Sequence, residues 1–184
     1  MKLYGSIASP FVRRIRLLIE KSETLKDDYE FIITNIFDDE QSAIIEKLNP
    51  TKRIPLLVDG DKVIWDSLLI AEYLIGEFDI KTKKDIVLLN EATDAGVCLF
   101  QLRKFDIDAN DEGIFSKNNL KRIALVLDYF ETKLDEIEPI VKDWLFCSLD
   151  WFKFRDVYQW QDTYPKLNTF YQSEFNKYNF NPRE

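Results

Sequence analysis

Apolar and polar positions along the first 76 residues fall into short blocks, each with the period of a different element. Residues 2 to 5 predict a short strand. Phe11, Ile15 and Leu18 then recur at i, i+4 and i+7, with Val12 beside them, which predicts a helix over residues 10 to 21. Pro10 suits the first helical turn, where a missing N–H costs nothing. Arg13, Arg14 and Arg16 fall mostly off the apolar stripe, so the pattern puts them on a solvated helix face. Tyr29-Glu30-Phe31-Ile32-Ile33-Thr34 has strand composition, and a helical segment from residue 40 to 48 stops at Asn49-Pro50. Two β-rich runs, Ile54-Pro55-Leu56-Leu57-Val58 and Val63-Ile64-Trp65, flank Asp59-Gly60-Asp61 and read as a hairpin. Asp66-Ser67 opens a mostly apolar helix that includes Leu68, Leu69, Ile70, Ala71, Tyr73 and Leu74.

The resulting order is β-α-β-α-β-β-α. Its βαβ opening asks for parallel pairing and its closing hairpin is antiparallel. The expected first domain, residues 1 to 76, is therefore a mixed four-stranded sheet with helices, α/β of thioredoxin-like type. After Gly76 the polar run "GEFDIKTKKD" reads as a linker over residues 77 to 84. No strand pattern follows. Residues 84 to 105 look helical, and Leu120, Ile123, Leu127, Phe130, Leu134 and Ile137 form one apolar stripe over residues 118 to 138. That repeat lasts under three heptads, so it fits a core helix better than a coiled coil. Residues 85 to 184 are expected to form an all-α domain.

Charge and residue usage narrow the chemistry. A net charge of -8 without a basic block disfavours nucleic acid. No run of 18 apolar residues predicts a membrane span, and no leader peptide is expected at the N-terminus. Cys98 and Cys147 lie far apart with no CxxC, which argues against a disulfide framework or zinc ribbon and points to a cytoplasmic location. The absence of histidine removes Ser-His-Asp and Cys-His nucleophiles and His-based metal sites. In the loop "DIDANDEGIFSK", Asp106, Asp108 and Asn110 mimic calcium-loop positions. However, Asp111 stands where the turn needs Gly and Lys117 where Glu should close the shell. This loop reads as a solvated acidic loop, and no metal is expected.

Three places in the first domain would meet at one end of such a sheet: Ser9, the Arg53-Ile54-Pro55 tripeptide, and Asp66-Ser67. Ser9 sits at a helix start, where unpaired N–H groups and the dipole favour an anion. Its hydroxyl is a cap, or a donor to a bound thiolate. Pro55 between two apolar runs removes a ladder donor. A cis Ile54-Pro55 bond accounts for it and leaves the Ile54 backbone to pair with an extended ligand, while a trans strand-edge proline is the plainer alternative. Asp66 and Ser67 are ordinary N-caps, or they hold an ammonium and a carboxylate. A ligand with α-carboxylate, α-ammonium, extended amide and thiol fits all three places, and glutathione has that composition.

The same residues carry a resemblance. "SPFVRRIRLLIEK" is similar to the first-helix motif of the cytosolic glutathione transferase superfamily, in the Ser version of the Cys-Pro-Phe form of omega-like members. "NPTKRIPLLVDGDKVIWDSLLIAEYL" resembles its Asn-Pro-x-Gly-Lys-Val-Pro … Glu-Ser-x-Ala-Ile signature, with Lys52 in place of Gly and Asp66 in place of Glu. The resemblance implies Ser9 as the thiol-activating residue, with Arg53, Ile54, cis-Pro55, Asp66 and Ser67 binding glutathione as co-substrate. It also implies a small-molecule electrophile, or a disulfide, as acceptor, and a homodimer. Later helices match less well. Trp160, Tyr164 and Pro165 keep the spacing of small bacterial members. But Ile137 to Trp144 runs into Leu145 without the usual Gly-Asp and capping box, so the domain is expected to be shortened near 139 to 145, by a shorter helix or a missing segment. Phe100, Trp151, Phe152 and Trp160 read as core rather than pocket. The competing class is a non-enzymatic regulator of the stringent-starvation type on the same fold.

Overall fold

The computed structural model describes residues 1–108, 110–175 and 177. The chain divides into two compact units, one formed by Met1–Phe78 and one that starts at Asp79.

The first unit runs β1 (Lys2–Gly5), α1 (Pro10–Glu20), β2 (Glu30–Ile33), α2 (Asp39–Leu48), β3 (Leu56–Asp59), β4 (Lys62–Trp65) and α3 (Ser67–Ile75). The sheet order is β2-β1-β3-β4, with β1 and β2 parallel and the other two pairs antiparallel. This is the thioredoxin-like arrangement that the order of elements predicts. Leu3, Val12, Ile15, Ile19, Leu56, Leu57, Ile70 and Ala71 are wholly inaccessible and form the core under α1 and α3. Full burial of such a side chain stabilises the fold by about 1.5–3 kcal/mol. Gly5 ends β1 where α1 crosses closely: a Cβ there would lie 2.5 Å from Val12 Cγ1. At the hairpin, Gly60 takes a φ of 58°, the left-handed turn conformation that glycine adopts without strain.

The arginine group of α1 departs from the solvated face that its spacing suggests. Arg14 is fully buried, Arg13 is 7% exposed, and Arg16 is half-buried. The physical reason lies in the side chain. Long aliphatic stems pack along apolar surface, and the weakly hydrated guanidinium plane stacks on aromatic rings. The Arg14 guanidinium carbon lies 4.7 Å from the Phe11 ring centroid, and that of Arg16 lies 4.4 Å from the Phe31 centroid.

The second unit contains α4 (Ile80–Lys104), α5 (Ile114–Lys133), α6 (Pro139–Phe154) and α7 (Pro165–Phe175), with no strand among the described residues. It is the all-α part expected. α4 begins inside the segment read as linker, because Asp79 caps it by accepting from the Thr82 N–H at 2.8 Å. α5 stops at Lys133, so the last two positions of the apolar stripe, Leu134 and Ile137, lie in the following turn but remain buried. Residues 139–145 are the first two turns of a continuous α6. Its N-cap, Glu138, makes no side-chain cap bond, in keeping with the missing capping box.

Buried polar ties join these helices. Thr93 Oγ1 meets Ser148 Oγ at 3.0 Å, the Trp160 indole N–H donates to the Leu149 carbonyl at 3.1 Å, and the Tyr171 hydroxyl donates to Asp150 at 2.8 Å. Trp151, Phe152 and Trp160 are core, as read, while Phe100 is half-buried with its ring edge-on to Trp151. In the acidic loop, Asp108 accepts from the Glu112 and Gly113 amides and Asp111 pairs with Arg103, so both carboxylates organise the chain itself.

Candidate functional site

β1 hands the chain to α1 through a tight turn. The Ser9 amide donates to the Ser6 carbonyl at 3.1 Å, and the Ala8 amide donates to Ser6 Oγ at 3.3 Å. Ser9 is the N-cap of α1, in extended conformation, and its Oγ accepts from the Val12 N–H at 3.3 Å. The cap uses a lone pair and leaves the hydroxyl proton to be donated. Cap and thiolate donor are therefore compatible roles of one half-buried side chain.

The Ile54–Pro55 peptide bond is cis, the isomer that the resemblance implies and one of the two that the pattern allows. Pro55 is buried and Ile54 half-buried. Strand pairing starts at Leu56, so the Ile54 backbone lies outside the ladder. The loop before it is held by Asn49, which is 1% exposed. Its Nδ2 donates to the Arg53 carbonyl at 2.9 Å, and its Oδ1 accepts from the Thr51 amide at 3.0 Å and the Thr51 hydroxyl at 2.9 Å. Arg53 is thus fixed through its backbone, while its side chain is exposed. Lys52 adopts a φ of 53°, the region that favours glycine, and its ammonium pairs with Glu46 at 2.7 Å.

Asp66 is the N-cap of α3 with an unusual φ of 74°, and its Oδ1 accepts from the Leu68 N–H at 2.8 Å. A non-glycine residue in such a conformation persists only where its surroundings over-determine it, and such residues cluster at ligand sites. Ser67 is 2% exposed, and its Oγ meets no partner among the described residues. A buried hydroxyl left so is costly, and a ligand oxygen would satisfy it.

The register brings these places together. Tyr4, Leu56 and Trp65 are cross-strand neighbours, so Gly5, Pro55 and Asp66 occupy the next row at the same sheet end. Adjacent strands lie about 4.8 Å apart. Ser9 follows Gly5 by one turn of chain, and Ser67 follows Asp66. Sequence reasoning missed Asn49 as part of this arrangement. Its signal was present as an Asn at a helix C-terminus directly before a Pro. Two open clefts of about 540 and 520 Å³ lie in the helical unit and share no residue with this row.

Comparison with known proteins fits this geometry. The family model described as "Glutathione S-transferase, N-terminal domain" matches residues 3–82. The chain's first unit is thus similar to the N-terminal domain of glutathione S-transferases. The chain is 37% identical over 79 residues to glutathione S-transferase 1 of Manduca sexta, a match covering 42% of this chain and 36% of that protein. It is 29% identical to a glutathione S-transferase of Triticum aestivum, over 96% of this chain and 82% of that one. The chain thus spans about a third of the moth relative's length and most of the wheat relative's. Among solved structures, a glutathione S-transferase of Methylobacillus flagellatus with glutathione bound superposes with a TM-score of 0.78 at 21% identity, covering 94% of this chain and 93% of that one. A Methylobacterium radiotolerans transferase complexed with glutathione sulfonate gives the same TM-score at 16% identity, covering 94% and 89%. These likenesses extend the transferase fold over both units. None of these relatives is described as omega-like. Among the described residues, no helix is long and apolar enough to cross a membrane.

Proposed function

We propose that this chain is a glutathione transferase-like enzyme that binds glutathione, holds it as the thiolate, and presents the sulfur to a small-molecule electrophile. The observation that carries this reading is the Ser9 cap geometry, in which one oxygen accepts from Val12 and keeps its proton for an anion beside it.

The demand on the site is modest. A thiol near its ordinary pKa of 8.5 needs a drop of roughly 1.5 to 2 units to be mostly ionised at neutral pH, or about 2–3 kcal/mol. A charge-assisted hydrogen bond supplies about 1.5–3 kcal/mol and a helix N-terminus about 0.3–1 kcal/mol. Ser9 provides both, and the thiol proton leaves to water. The Ile54 backbone pairs with the cysteinyl amide, with Arg53 and Pro55 forming the wall beside it. The Ser67 hydroxyl and the α3 N-terminus hold the γ-glutamyl carboxylate, and the outward Asp66 oxygen holds the ammonium. The sulfur lone pair then forms the bond to the electrophile, and the electrophile's leaving group departs with its electron pair. Serine forms no mixed disulfide, which favours conjugation over cysteine-type disulfide exchange. The Ser-Pro-Phe start supports an omega-like affiliation. The expected assembly is a homodimer in the cytoplasm.

Calorimetry with glutathione tests this directly. Binding at micromolar to millimolar ligand, with conjugation of a chloronitrobenzene, is the expected result. No heat at millimolar glutathione would instead favour a regulator that keeps only the fold.

A further inference from the structure

We propose that Ile33, at the end of β2, is a specificity-determining residue: its side chain is the apolar surface against which the electrophile's hydrophobic body lies while its reactive carbon meets the sulfur held at Ser9. The proposal rests on the reading of Ser9, Ile54 and Asp66-Ser67 as the glutathione site. It adds the class of acceptor, one with an aryl or alkyl body rather than a small polar one.

The sheet register sets the place. Ile33 pairs with Gly5 in the parallel β1–β2 ladder, and the next amide, that of Thr34, donates to the Gly5 carbonyl at 2.9 Å. Ile33 therefore extends the row of Gly5, Pro55 and Asp66 by one strand, about 4.8 Å beyond Gly5 on the side away from Pro55. With the γ-glutamyl end at Asp66, the cysteinyl backbone at Ile54 and the sulfur at Ser9, glutathione fills the β4, β3 and β1 places. The β2 place is the next one past the sulfur. The peptide also continues past its cysteinyl residue into the glycyl end, so the test reads glutathione and acceptor separately.

The side of the sheet follows from α1. A Cβ on Gly5 would meet Val12, and the Arg16 guanidinium carbon lies 4.4 Å from the Phe31 ring centroid, so α1 covers the face to which Gly5 and Phe31 point. Alternation along β2 turns Ile33 to that same face, about 6.6 Å past Phe31. One turn from Arg16 toward the start of α1, about 6 Å, is Val12, and the next turn reaches the cap residue Ser9. Ile33 thus stands at the N-terminal end of α1, where Ser9 opens the helix. It is also left uncovered. On this face Leu3 is wholly buried and Phe31 half-buried, whereas Ile33 is 64% exposed. Its backbone is fixed all the same. Thr34, 4% exposed, holds the Gly5 carbonyl with its amide and the Ile32 carbonyl with its hydroxyl at 2.9 Å. A stiff, branched, exposed apolar side chain gives an apolar acceptor area to cover and gives a polar one nothing to bond.

The test compares steady-state conjugation of two acceptors by wild type, Ile33→Val, Ile33→Ala and Ile33→Thr. One is a chlorodinitrobenzene, whose ring carbon takes the bond from sulfur while chloride departs with its electron pair. The other is iodoacetamide, a small polar alkylating agent that loses iodide in the same way. Ile33→Ala and Ile33→Thr should lower kcat/KM for the chlorodinitrobenzene by about five- to tenfold, and Ile33→Val by about twofold. For iodoacetamide kcat/KM, glutathione KM and the bound thiol pKa, all three variants should stay within about twofold of wild type. Ile33→Thr keeps a β-branched residue in the strand, so it separates lost apolar surface from lost structure. If wild type binds no glutathione, or binds it and conjugates neither acceptor, the transferase reading fails and this inference fails with it. A folded Ile33→Thr that keeps the wild-type rate with the chlorodinitrobenzene overturns the inference and leaves that reading intact. So does a wild type that conjugates only iodoacetamide, or an equal loss with both acceptors. A rise in glutathione KM that accounts for the loss also overturns it, because the glycyl end rather than the acceptor would then lie at Ile33.

Discussion

The Asn49 side-chain amide donates to the Arg53 carbonyl at 2.9 Å, so a buried side chain at the end of α2 fixes the backbone that leads into Ile54 and Pro55. The same side chain accepts twice from Thr51, and all three bonds are lost together in Asn49→Ala. Each is worth about 0.5–1.5 kcal/mol, and the orphaned buried partners add to the cost. A loss of about 2–4 kcal/mol in urea unfolding is expected, with at least tenfold weaker glutathione binding by calorimetry. Asn49→Asp keeps both acceptor roles but buries a carboxylate against the Arg53 carbonyl oxygen, so it should lose at least as much near neutral pH. Full stability in Asn49→Ala would show that the loop is held by something else.

Ser9 serves α1 and the proposed thiolate through different parts of one hydroxyl, so the two roles separate by substitution. Ser9→Ala removes both. It should cost about 1 kcal/mol of stability and raise the bound thiol pKa. Ser9→Asp keeps an oxygen for the Val12 N–H, adds a negative charge at a helix start, and should leave stability near wild type. Yet it offers no proton and repels a thiolate, so the bound thiol pKa should rise further than in Ser9→Ala. Equal thiol pKa values in wild type and both variants would leave Ser9 a cap alone.

What the sequence made legible follows from which signals are local. The period-2 and period-3.6 blocks, the Asp-Gly turn and Pro10 at the helix start each act within a few residues, and the first unit forms as they predict. Pro55 stands out because its anomaly, a proline among strand residues, is local as well. Arg13 and Arg14 escape that logic. Their burial depends on what covers α1 in three dimensions, and a pattern that counts charge as solvated has no access to it. Asn49 escapes for a related reason, since its role lies in which carbonyl its amide reaches. The start of α4 was hidden by composition: a polar run reads as linker until Asp79 and Thr82 are seen as a cap and its target.

Glu131 on α5 offers a similar long-range cap. Its two carboxylate oxygens accept from the Lys166 and Leu167 amides, both at 2.9 Å, at the N-terminus of α7. Those donors have no partner within α7, so a carboxylate from another helix completes it and ties the two together. Glu131→Ala should destabilise the helical unit by about 1–2 kcal/mol, and Glu131→Gln by less, because one oxygen still accepts. Hydrogen exchange should locate the loss in the first turn of α7. Unchanged protection there would rule out a capping role.

The Tyr129 hydroxyl donates to Asp85 at 2.7 Å, joining α5 to a carboxylate that is 3% exposed on α4. The hydrogen bond to Asp85, then burial, then the Asp85 and Glu136 charges push the Tyr129 phenol from 10.0 up to about 12. A folded pKa above the unfolded one means that the fold favours the neutral phenol. The stabilisation is therefore complete below about pH 10 and is lost as pH rises through about 12. Tyr129→Phe should cost about 1 kcal/mol at pH 8, a figure kept low because the ring is 37% exposed. The informative quantity is the gap between wild type and variant in urea midpoint, since other tyrosines and lysines titrate in both proteins alike. That gap should hold from pH 8 to 10 and then shrink toward zero near pH 12. A constant gap across this range would show that the tyrosine contributes packing rather than a titrating hydrogen bond.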